Sequence, residues 1–260
     1  MSNNANGLMK AGVRVDEPEQ KAGYSDPTAK VAISAAIAPP QLTAATLKLN
    51  PRKQTYIHPS WLAKGLSGDR QCMFSLHTQA NCFTPKGESD FDAESYKLKH
   101  QAALSQYAKE LKAEGYTVYT EGSNSFWYET KAGATISAQP DIVAVRGDEA
   151  LVPDIKTGKE LRVCDIAQVK LYMALVPAVG LHGIRKIPRG QLVHKGEVYD
   201  ISPDQISTEF KHQVAELVNA LTVADTPPVT PSAQECHWCP LRHLCHSKVE
   251  TVVKGEADWL

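Results

Sequence analysis

Two acidic residues constrain the fold of this chain most strongly. One precedes and the other follows a pair of apolar stretches. Asp141 precedes the sequence IVAVR, and Asp154-Ile155-Lys156 follows the sequence EALVP. Gly147-Asp148 joins the two stretches and is a usual two-residue connection between paired strands. The segment therefore predicts a β-hairpin, whose register places Asp141 opposite Asp154 and Arg146 opposite Glu149.

This register would bring two carboxylates and one ammonium group together. Opposed strand residues have Cβ atoms roughly 5 Å apart, and Lys156 lies two residues beyond Asp154 on the same face. Neighbouring carboxylates repel each other when apolar residues bury them, so one must take up a proton or both must share a cation. An exposed hairpin with solvated acids would show the same pattern, so the flanking elements must decide between the two interpretations.

Helical patterns flank the hairpin on both sides, at residues 94–114 and 161–176. Gln168 and Tyr172 lie four residues apart in the second pattern and therefore on one face of its helix. His100 falls within the apolar stripe of the first pattern, so its side chain should face inward. An inward histidine is more often a core residue than a ligand, but a nearby pair of carboxylates favours a metal ligand.

With these residues the chain resembles the PD-(D/E)xK nuclease superfamily and, within it, the RecB-like group. Pro140-Asp141 and Asp154-Ile155-Lys156 match the two halves of the family signature. Gln168 to Tyr172 matches its Q-x-x-x-Y helix motif, and His100 matches its upstream helix histidine. The resemblance implies an α/β fold with a restriction-endonuclease-like core, in which helices flank a mixed central sheet.

The resemblance also implies a metal site. Asp141, Asp154, His100 and the main-chain carbonyl of Ile155 would bind one or two magnesium or manganese ions, and oxygen ligands suit both metals. Glu121 could add a ligand or a water contact, or it could equally be a surface acid.

The remaining motif residues would take part in the reaction. The resemblance implies that Lys156 orients the attacking water and stabilises the charged transition state, while Gln168 and Tyr172 position the strand or support the lysine. The implied activity is that of a deoxyribonuclease, an exonuclease that acts on single strands or duplex ends by metal-activated water. A catalytically silent nucleic-acid-binding or scaffold protein with a structural metal site is the alternative function.

A second group of candidate ligands lies near the C-terminus, where Cys236, Cys239 and Cys245 have the spacing C-x2-C-x5-C. A distant cysteine could complete the site, and Cys72 and Cys82 are the candidates. RecB-like nucleases with an iron-sulfur cluster, which include CRISPR-associated adaptation exonucleases and AddB-type domains, have one cysteine before the nuclease motifs and three after them, which favours Cys72.

The resemblance therefore implies a [4Fe-4S] cluster that joins the N- and C-terminal parts of the chain. Zinc is the alternative, held by four thiolates or by three thiolates and one of the nearby imidazoles of His237, His243 and His246. Cys164 is left over and is expected to be a core thiol.

The charge balance bears on the expected partner. A formal net charge of -1 argues against a protein that wraps duplex DNA without sequence preference, because such proteins usually carry a basic surplus. Contacts with single-stranded DNA or duplex ends should therefore be local. The basic stretch from Arg185 to Lys195 is a candidate for them, and it is expected beside the active site.

The cellular setting is expected to be the cytoplasm. No stretch is apolar and long enough to span a membrane, the chain starts with a polar segment, and six cysteines suit a reducing compartment with metal thiolates. The sequence leaves open whether the protein forms a homo-oligomer and whether it binds partner proteins of recombination or adaptation. The motifs equally leave open the polarity of digestion, DNA or RNA preference, and a pathway of CRISPR adaptation, phage recombination or repair.

Three regions are expected along the chain. Residues 1–52 should be poorly ordered or extended, residues 53–225 should form the nuclease core, and residues 226–260 should form a linker and a cysteine clamp that packs on the core. The other predicted elements are helices at residues 61–82 and 207–221 and strands at residues 116–120, 126–130, 183–192 and 195–201.

Overall fold

The structure is a computed structural model that describes residues 42–43, 45–85, 87, 92–230 and 232–249. The expected N-terminal segment, residues 1–52, lies largely outside these ranges, and so do the last residues of the C-terminal part. None of the helices in these ranges is long and apolar enough to cross a membrane.

The described residues form strands and helices. The strands are β1 (Asn50–Pro51), β2 (Tyr56–Ile57), β3 (Cys82–Phe83), β4 (Thr117–Thr120), β5 (Phe126–Glu129), β6 (Thr135–Ala138), β7 (Ile142–Arg146), β8 (Glu149–Lys156), β9 (Arg189–His194) and β10 (Glu197–Ile201). The helices are α1 (Pro59–Leu66), α2 (Met73–Asn81), α3 (Ala93–Ala113), α4 (Val163–Val179), α5 (Thr208–Thr222) and α6 (Ala233–His237).

A mixed five-stranded sheet carries the predicted hairpin. Its strand order is β10-β9-β8-β7-β4, with β8 and β9 parallel and the other neighbours antiparallel. The predicted α/β fold with a mixed sheet flanked by helices is thus confirmed. Strands β7 and β8 pair with Arg146 opposite Glu149, as the hairpin register requires. The parallel pair is joined through α4, because parallel strands need a long crossover connection.

The two faces of this sheet pack against different helices. Alternate residues of β7 separate accordingly: Ile142 and Ala144 lie in one cluster with Leu104 of α3, whereas Val143 lies in another cluster with Val169 of α4. This division follows from the two-residue period of a strand. Strand β8 is buried on both faces, so its central residues form a nearly continuous apolar run that the single polar residue Asp154 interrupts.

The smaller sheets complete the core. A three-stranded sheet has the order β2-β6-β5, and β1 pairs with β3. Helix α1 packs against α4 and α5, and α2 packs against α5.

Two predicted elements were wrong in their bounds. Residues 61–82 were expected as one helix, but α1 ends at Leu66 and α2 begins at Met73. Gly68 between them has a φ of 77°, which a right-handed helix does not allow. The strand expected from residue 183 begins only at Arg189, because Gly183 has a φ of 80° and Pro188 lacks an N–H for strand pairing.

Gly190 is expected to be required where β9 passes beneath α4. A Cβ at this position would lie 2.5 Å from Sδ of Met173 and 2.6 Å from Cγ1 of Val169. Helix and sheet would have to separate, so Gly190→Ala should lower the free energy of unfolding by about 1 to 3 kcal/mol. Denaturant unfolding followed by circular dichroism measures the change.

Gly122→Ala is the matched control, because no atom of the described residues lies within 4 Å of a Cβ added there. Its free energy of unfolding should stay within about 0.5 kcal/mol of the wild-type value. Equal stabilities of the two variants would contradict the close packing at Gly190.

Candidate active site

The carboxylate of Asp154 lies at the centre of the candidate site. The residue is 1% exposed, near the end of β8. Nζ of Lys156, two residues later on the same face, lies 2.8 Å from its Oδ2 and 3.6 Å from Oδ1 of Asp165. Asp165, in the first turn of α4, accepts a hydrogen bond from the backbone N–H of Arg162. The strand and the start of the next helix therefore fix the acid and the lysine together.

Burial controls the protonation of this pair. It raises the pKa of Asp154 to about 7; the charge of Asp141 adds to this rise and Lys156 opposes it. Burial alone would lower the pKa of Lys156, but the carboxylates of Asp154, Asp165 and Asp141 together raise it. The buried Oδ2 of Asp154 has the ammonium of Lys156 as its close partner, at 2.8 Å, and no other donor among the described residues contacts it. Such an oxygen is well suited to a cation.

Asp141 lies at the same end of the sheet, immediately before β7. Its Oδ2 accepts a hydrogen bond from the backbone N–H of Ile155 at 2.7 Å and lies 3.1 Å from Nε2 of His100. The acid thus contacts β8 through the backbone between Asp154 and Lys156. The side chain of Ile155 is buried on the α3 face, whereas Asp154 and Lys156 face α4.

His100 reaches the site from α3. Its hydrogen bond with Asp141 is the main cause of a raised pKa; burial opposes this rise, while the charges of Asp141, Glu121 and Asp154 reinforce it. Nδ1 of His100 lies 3.8 Å from Oε1 of Glu121. The backbone N–H of Glu121 donates to the carbonyl of Asp141 at 3.0 Å. Both residues therefore lie beside Asp141.

Gln168 and Tyr172 approach from the opposite side on α4. Oε1 of Gln168 accepts a hydrogen bond from Nζ of Lys156 at 3.2 Å, and its Nε2 lies 3.5 Å from Oδ1 of Asp154. Nε2 also donates to the Tyr172 hydroxyl at 3.1 Å, which in turn donates to the carbonyl of Gln139 at 3.4 Å. One glutamine thus links the lysine, the acid and the segment before Asp141.

Asn124 supports the site and is absent from the sequence motifs. It is fully buried, and its Nδ2 donates to the carbonyls of Tyr119 and Pro140, each at 3.1 Å. Its Oδ1 lies 2.9 Å from Nε2 of His182, whose ring stacks on Tyr119 with a centroid distance of 3.6 Å. Asn124 thereby fixes the backbone directly before Asp141. An asparagine in a turn between strands is too common to have indicated this role.

The basic stretch was expected beside the active site, and most of it lies elsewhere. Arg189 pairs with Leu151, whereas His194 pairs with Lys156, so the two ends of β9 lie roughly 16 Å apart. The segment 185–189 is consequently at the hairpin end of the sheet, where it lines a cavity of about 560 Å³. Only His194 and Lys195 are at the active-site end.

The four predicted cysteine ligands lie around one small cavity. Cys72, Cys236, Cys239 and Cys245 all line a space of about 20 Å³. Burial raises the pKa of the Cys245 thiol, and the other three sulfurs add to this rise. Cys82 lies instead in β3, opposite Pro51, and Cys164 is buried in the α4 cluster.

Glu235 joins the two segments that carry these cysteines. Its carboxylate oxygens accept hydrogen bonds from the backbone N–H groups of Gln71 and Cys72, at distances of 3.1 Å. The acid beside Cys236 therefore satisfies the start of α2, a contact that the cysteine spacing did not indicate.

Within the described ranges, no three His, Cys, Asp or Glu side chains already converge as metal ligands. At the acidic site, the lysine and the backbone of β8 satisfy the two carboxylates instead. The carboxylate oxygens of Asp141 and Asp154 nevertheless fit a hard divalent cation. The four surrounding thiols fit zinc or an iron-sulfur cluster.

The matches to known proteins cover most of the chain. A family model described as the PD-(D/E)XK nuclease superfamily matches residues 70–246. No curated protein matches the sequence. A solved structure described as "Crystal structure of SSO0001" is similar at a TM-score of 0.47 and 14% sequence identity, over 76% of this chain and 89% of that chain. The family model covers more than half of the sequence, and therefore the chain belongs to the PD-(D/E)XK nuclease superfamily.

Proposed function

We propose that the chain is a RecB-like, metal-dependent deoxyribonuclease that acts as an exonuclease on single strands or duplex ends. The observation that carries this proposal is the buried carboxylate of Asp154, which lies beside Lys156 and near a second carboxylate, Asp141. A protein that used this site only for stability would gain more from an apolar residue, because buried ion pairs contribute little to stability.

Asp141, Asp154, His100 and the main-chain carbonyl of Ile155 are the groups that would hold a magnesium or manganese ion. When bound, such an ion polarises the scissile phosphate and lowers the pKa of a bound water. Two elements orient Asp141, because its Oδ2 contacts both His100 on α3 and the backbone of β8.

Lys156 would act on the attacking water and on the phosphate. Its raised pKa keeps it protonated, so it serves as a charge and a hydrogen-bond donor rather than as a general base. Gln168 holds the ammonium group through Oε1, and Tyr172 fixes the amide of Gln168. Both are positioning residues in this mechanism.

A structural metal cluster is a second part of the proposal. Cys72, Cys236, Cys239 and Cys245 would bind a [4Fe-4S] cluster, with zinc as the alternative metal. Cys72, before α2, is far in the sequence from the three cysteines in and after α6. A metal bound by all four would therefore close a long loop and stabilise the fold.

Removal of the catalytic groups should abolish cleavage. Purified protein is incubated with manganese and end-labelled linear single-stranded DNA, blunt duplex and circular single-stranded DNA. Asp154→Asn and Lys156→Ala should each lower the cleavage rate by about 100-fold or more, and circular DNA should resist an exonuclease.

Asp148→Asn and Lys131→Ala are the matched controls for this experiment. Both residues are exposed in turns, away from the acidic site, and their variants should cleave at the wild-type rate. If the wild-type protein and all four variants leave the DNA equally intact, the nuclease proposal fails and the catalytically silent binding protein is favoured.

Metal affinity should increase with pH. Because the pKa of Asp154 is about 7, an ion that binds below this pH must displace a proton. The deprotonation of His100, whose pKa is also raised, acts in the same direction. The association constant for Mn²⁺ should therefore rise about tenfold per pH unit or more below pH 7 and level off above it.

Isothermal titration calorimetry in buffers of different ionisation enthalpy measures both the affinity and the number of protons released. At least one proton should be released per ion at pH 6, and fewer at pH 8. An affinity that stays constant between pH 6 and 8 would contradict the raised pKa of Asp154.

Replacement of the cysteines distinguishes ligands from core thiols. Cys72→Ser and Cys236→Ser should lose the bound metal, whereas Cys82→Ser and Cys164→Ser, which also alter buried thiols, should retain it. Metal analysis and visible absorbance of the purified protein are the measurements. A brown protein that bleaches on reduction indicates an iron-sulfur cluster, and a colourless protein with stoichiometric zinc indicates the alternative. Equal metal content in all four variants would contradict the ligand set.

A further inference from the structure

A polar cleft with an exposed tryptophan lies beside the start of α4. It has a volume of about 660 Å³ and is formed by three parts of the chain. Lys64 and Arg70 come from α1 and the turn that follows it, Arg162 comes from the loop before α4, and Trp238 follows α6. The nuclease motifs contain none of these residues.

The cleft connects directly with the candidate active site. Nη2 of Arg162 and Nζ of Lys156 both lie 3.6 Å from the same oxygen, Oδ1 of Asp165. The side chain of Arg162 is 61% exposed, whereas that of Lys156 is 19% exposed. A chain of linked phosphates that reaches Lys156 could therefore contact Arg162 at a neighbouring phosphate.

Cations are crowded together in the cleft. Burial lowers the pKa of Lys64, and the positive charges of Arg70 and Arg162 lower it further; Asp69 and the Cys164 thiol oppose this shift. Repulsion among the three cations would be relieved by a bound polyanion.

Two acids also line the cleft. Glu235 is occupied by the backbone N–H groups at the start of α2, and Asp69 is the other acid that lines the cleft. Three cations line the cleft, but Arg70 is buried and donates to Gln79, and Arg162 also lies beside Asp165. Lys64 and the exposed guanidinium of Arg162 are therefore the charges that a ligand would contact. The cleft is therefore suited to phosphate contacts, because Arg and Lys side chains favour these.

Trp238 supplies an aromatic surface at the cleft. It is 78% exposed, although an indole is among the most apolar of side chains. The ring of His237 contacts it edge to face, with a centroid distance of 4.6 Å. Trp238 also lies between Cys236 and Cys239, so the backbone of the cysteine clamp fixes its position.

We propose that this cleft binds a single-stranded segment of nucleic acid, with one base stacked on Trp238 and the backbone phosphates contacted by Arg162 and Lys64. This inference rests on the proposed function, because it identifies the strand that enters the site at Lys156. Bases in a duplex have both faces covered by their neighbours, whereas an unpaired base has a π-face available for the indole. The cleft consequently selects unpaired strands.

Binding of a labelled oligothymidine in EDTA, followed by fluorescence anisotropy, tests the inference without cleavage. Trp238→Ala should weaken binding roughly tenfold, because base stacking on an aromatic residue contributes about that factor. Trp238→Phe should retain most of the affinity. Trp127→Ala is the matched control, because Trp127 is 68% exposed on β5 and does not line the cleft.

A blunt duplex provides the second comparison. Its affinity should be almost equal for the wild-type protein and Trp238→Ala, since no unpaired base is present. Arg162→Gln should lower the salt dependence of oligothymidine binding, because each phosphate that a cation no longer neutralises reduces the slope by about 0.7. If Trp238→Ala binds oligothymidine like the wild type, or weakens binding to single strand and duplex equally, the inference is overturned. Failure of the wild type to bind oligothymidine would overturn it as well.

Hydrolysis of bis(p-nitrophenyl) phosphate separates this inference from the proposed function. The substrate has no base to stack, so Trp238→Ala should hydrolyse it at the wild-type rate, while its kcat/KM for single-stranded DNA should fall. A wild-type protein that cleaves neither substrate would contradict the proposed nuclease. A weaker affinity of Trp238→Ala for oligothymidine would in that case still support the cleft as a strand-binding site.

Discussion

The burial of Asp154 against Lys156 is the interaction on which the arrangement of the site depends. Strand β8 is covered by helices on both faces, so an ionised carboxylate there loses its water and gains only one close cation. Because the folded pKa of Asp154 is raised to about 7, its contribution to stability is present below the unfolded value of about 4 and is lost as pH rises through 7. The metal-free fold is therefore strained at the pH at which the proposed divalent ion would bind best.

The other elements of the site limit this strain. Gln168 on α4 satisfies Lys156, and Asp141 accepts a hydrogen bond from the backbone of Ile155. Asn124 donates a hydrogen bond to the carbonyl of Pro140 and so fixes the backbone directly before Asp141. Each support comes from a different element. The positions of the Asp141 and Asp154 carboxylates thus depend on the packing of α3 and α4 against the sheet, not on the hairpin alone.

The parts predicted from sequence are those that local geometry determines. The hairpin register followed from a two-residue turn and the strand period, and the common face of Gln168 and Tyr172 followed from the helix period. The helix break at Gly68 and the location of the segment 185–189 did not follow. The first depends on the backbone conformation of one glycine. The second depends on whether β9 runs parallel to β8, because the direction of a strand decides which end of the sheet its first residue reaches.

Asn124, Asp165 and Glu235 were not predicted for a further reason. Their residue types are common, and their roles arise from contacts with residues distant in the sequence or from a shared partner. Asp165 is the clearest example, because one oxygen contacts both Lys156 of the nuclease motif and Arg162 of the cleft. Any change that moves α4 by one side-chain length would disturb both contacts together. The proposed cleavage site and the proposed strand-binding cleft are therefore physically linked through the first turn of α4, while Glu235 links the same cleft to the cysteines.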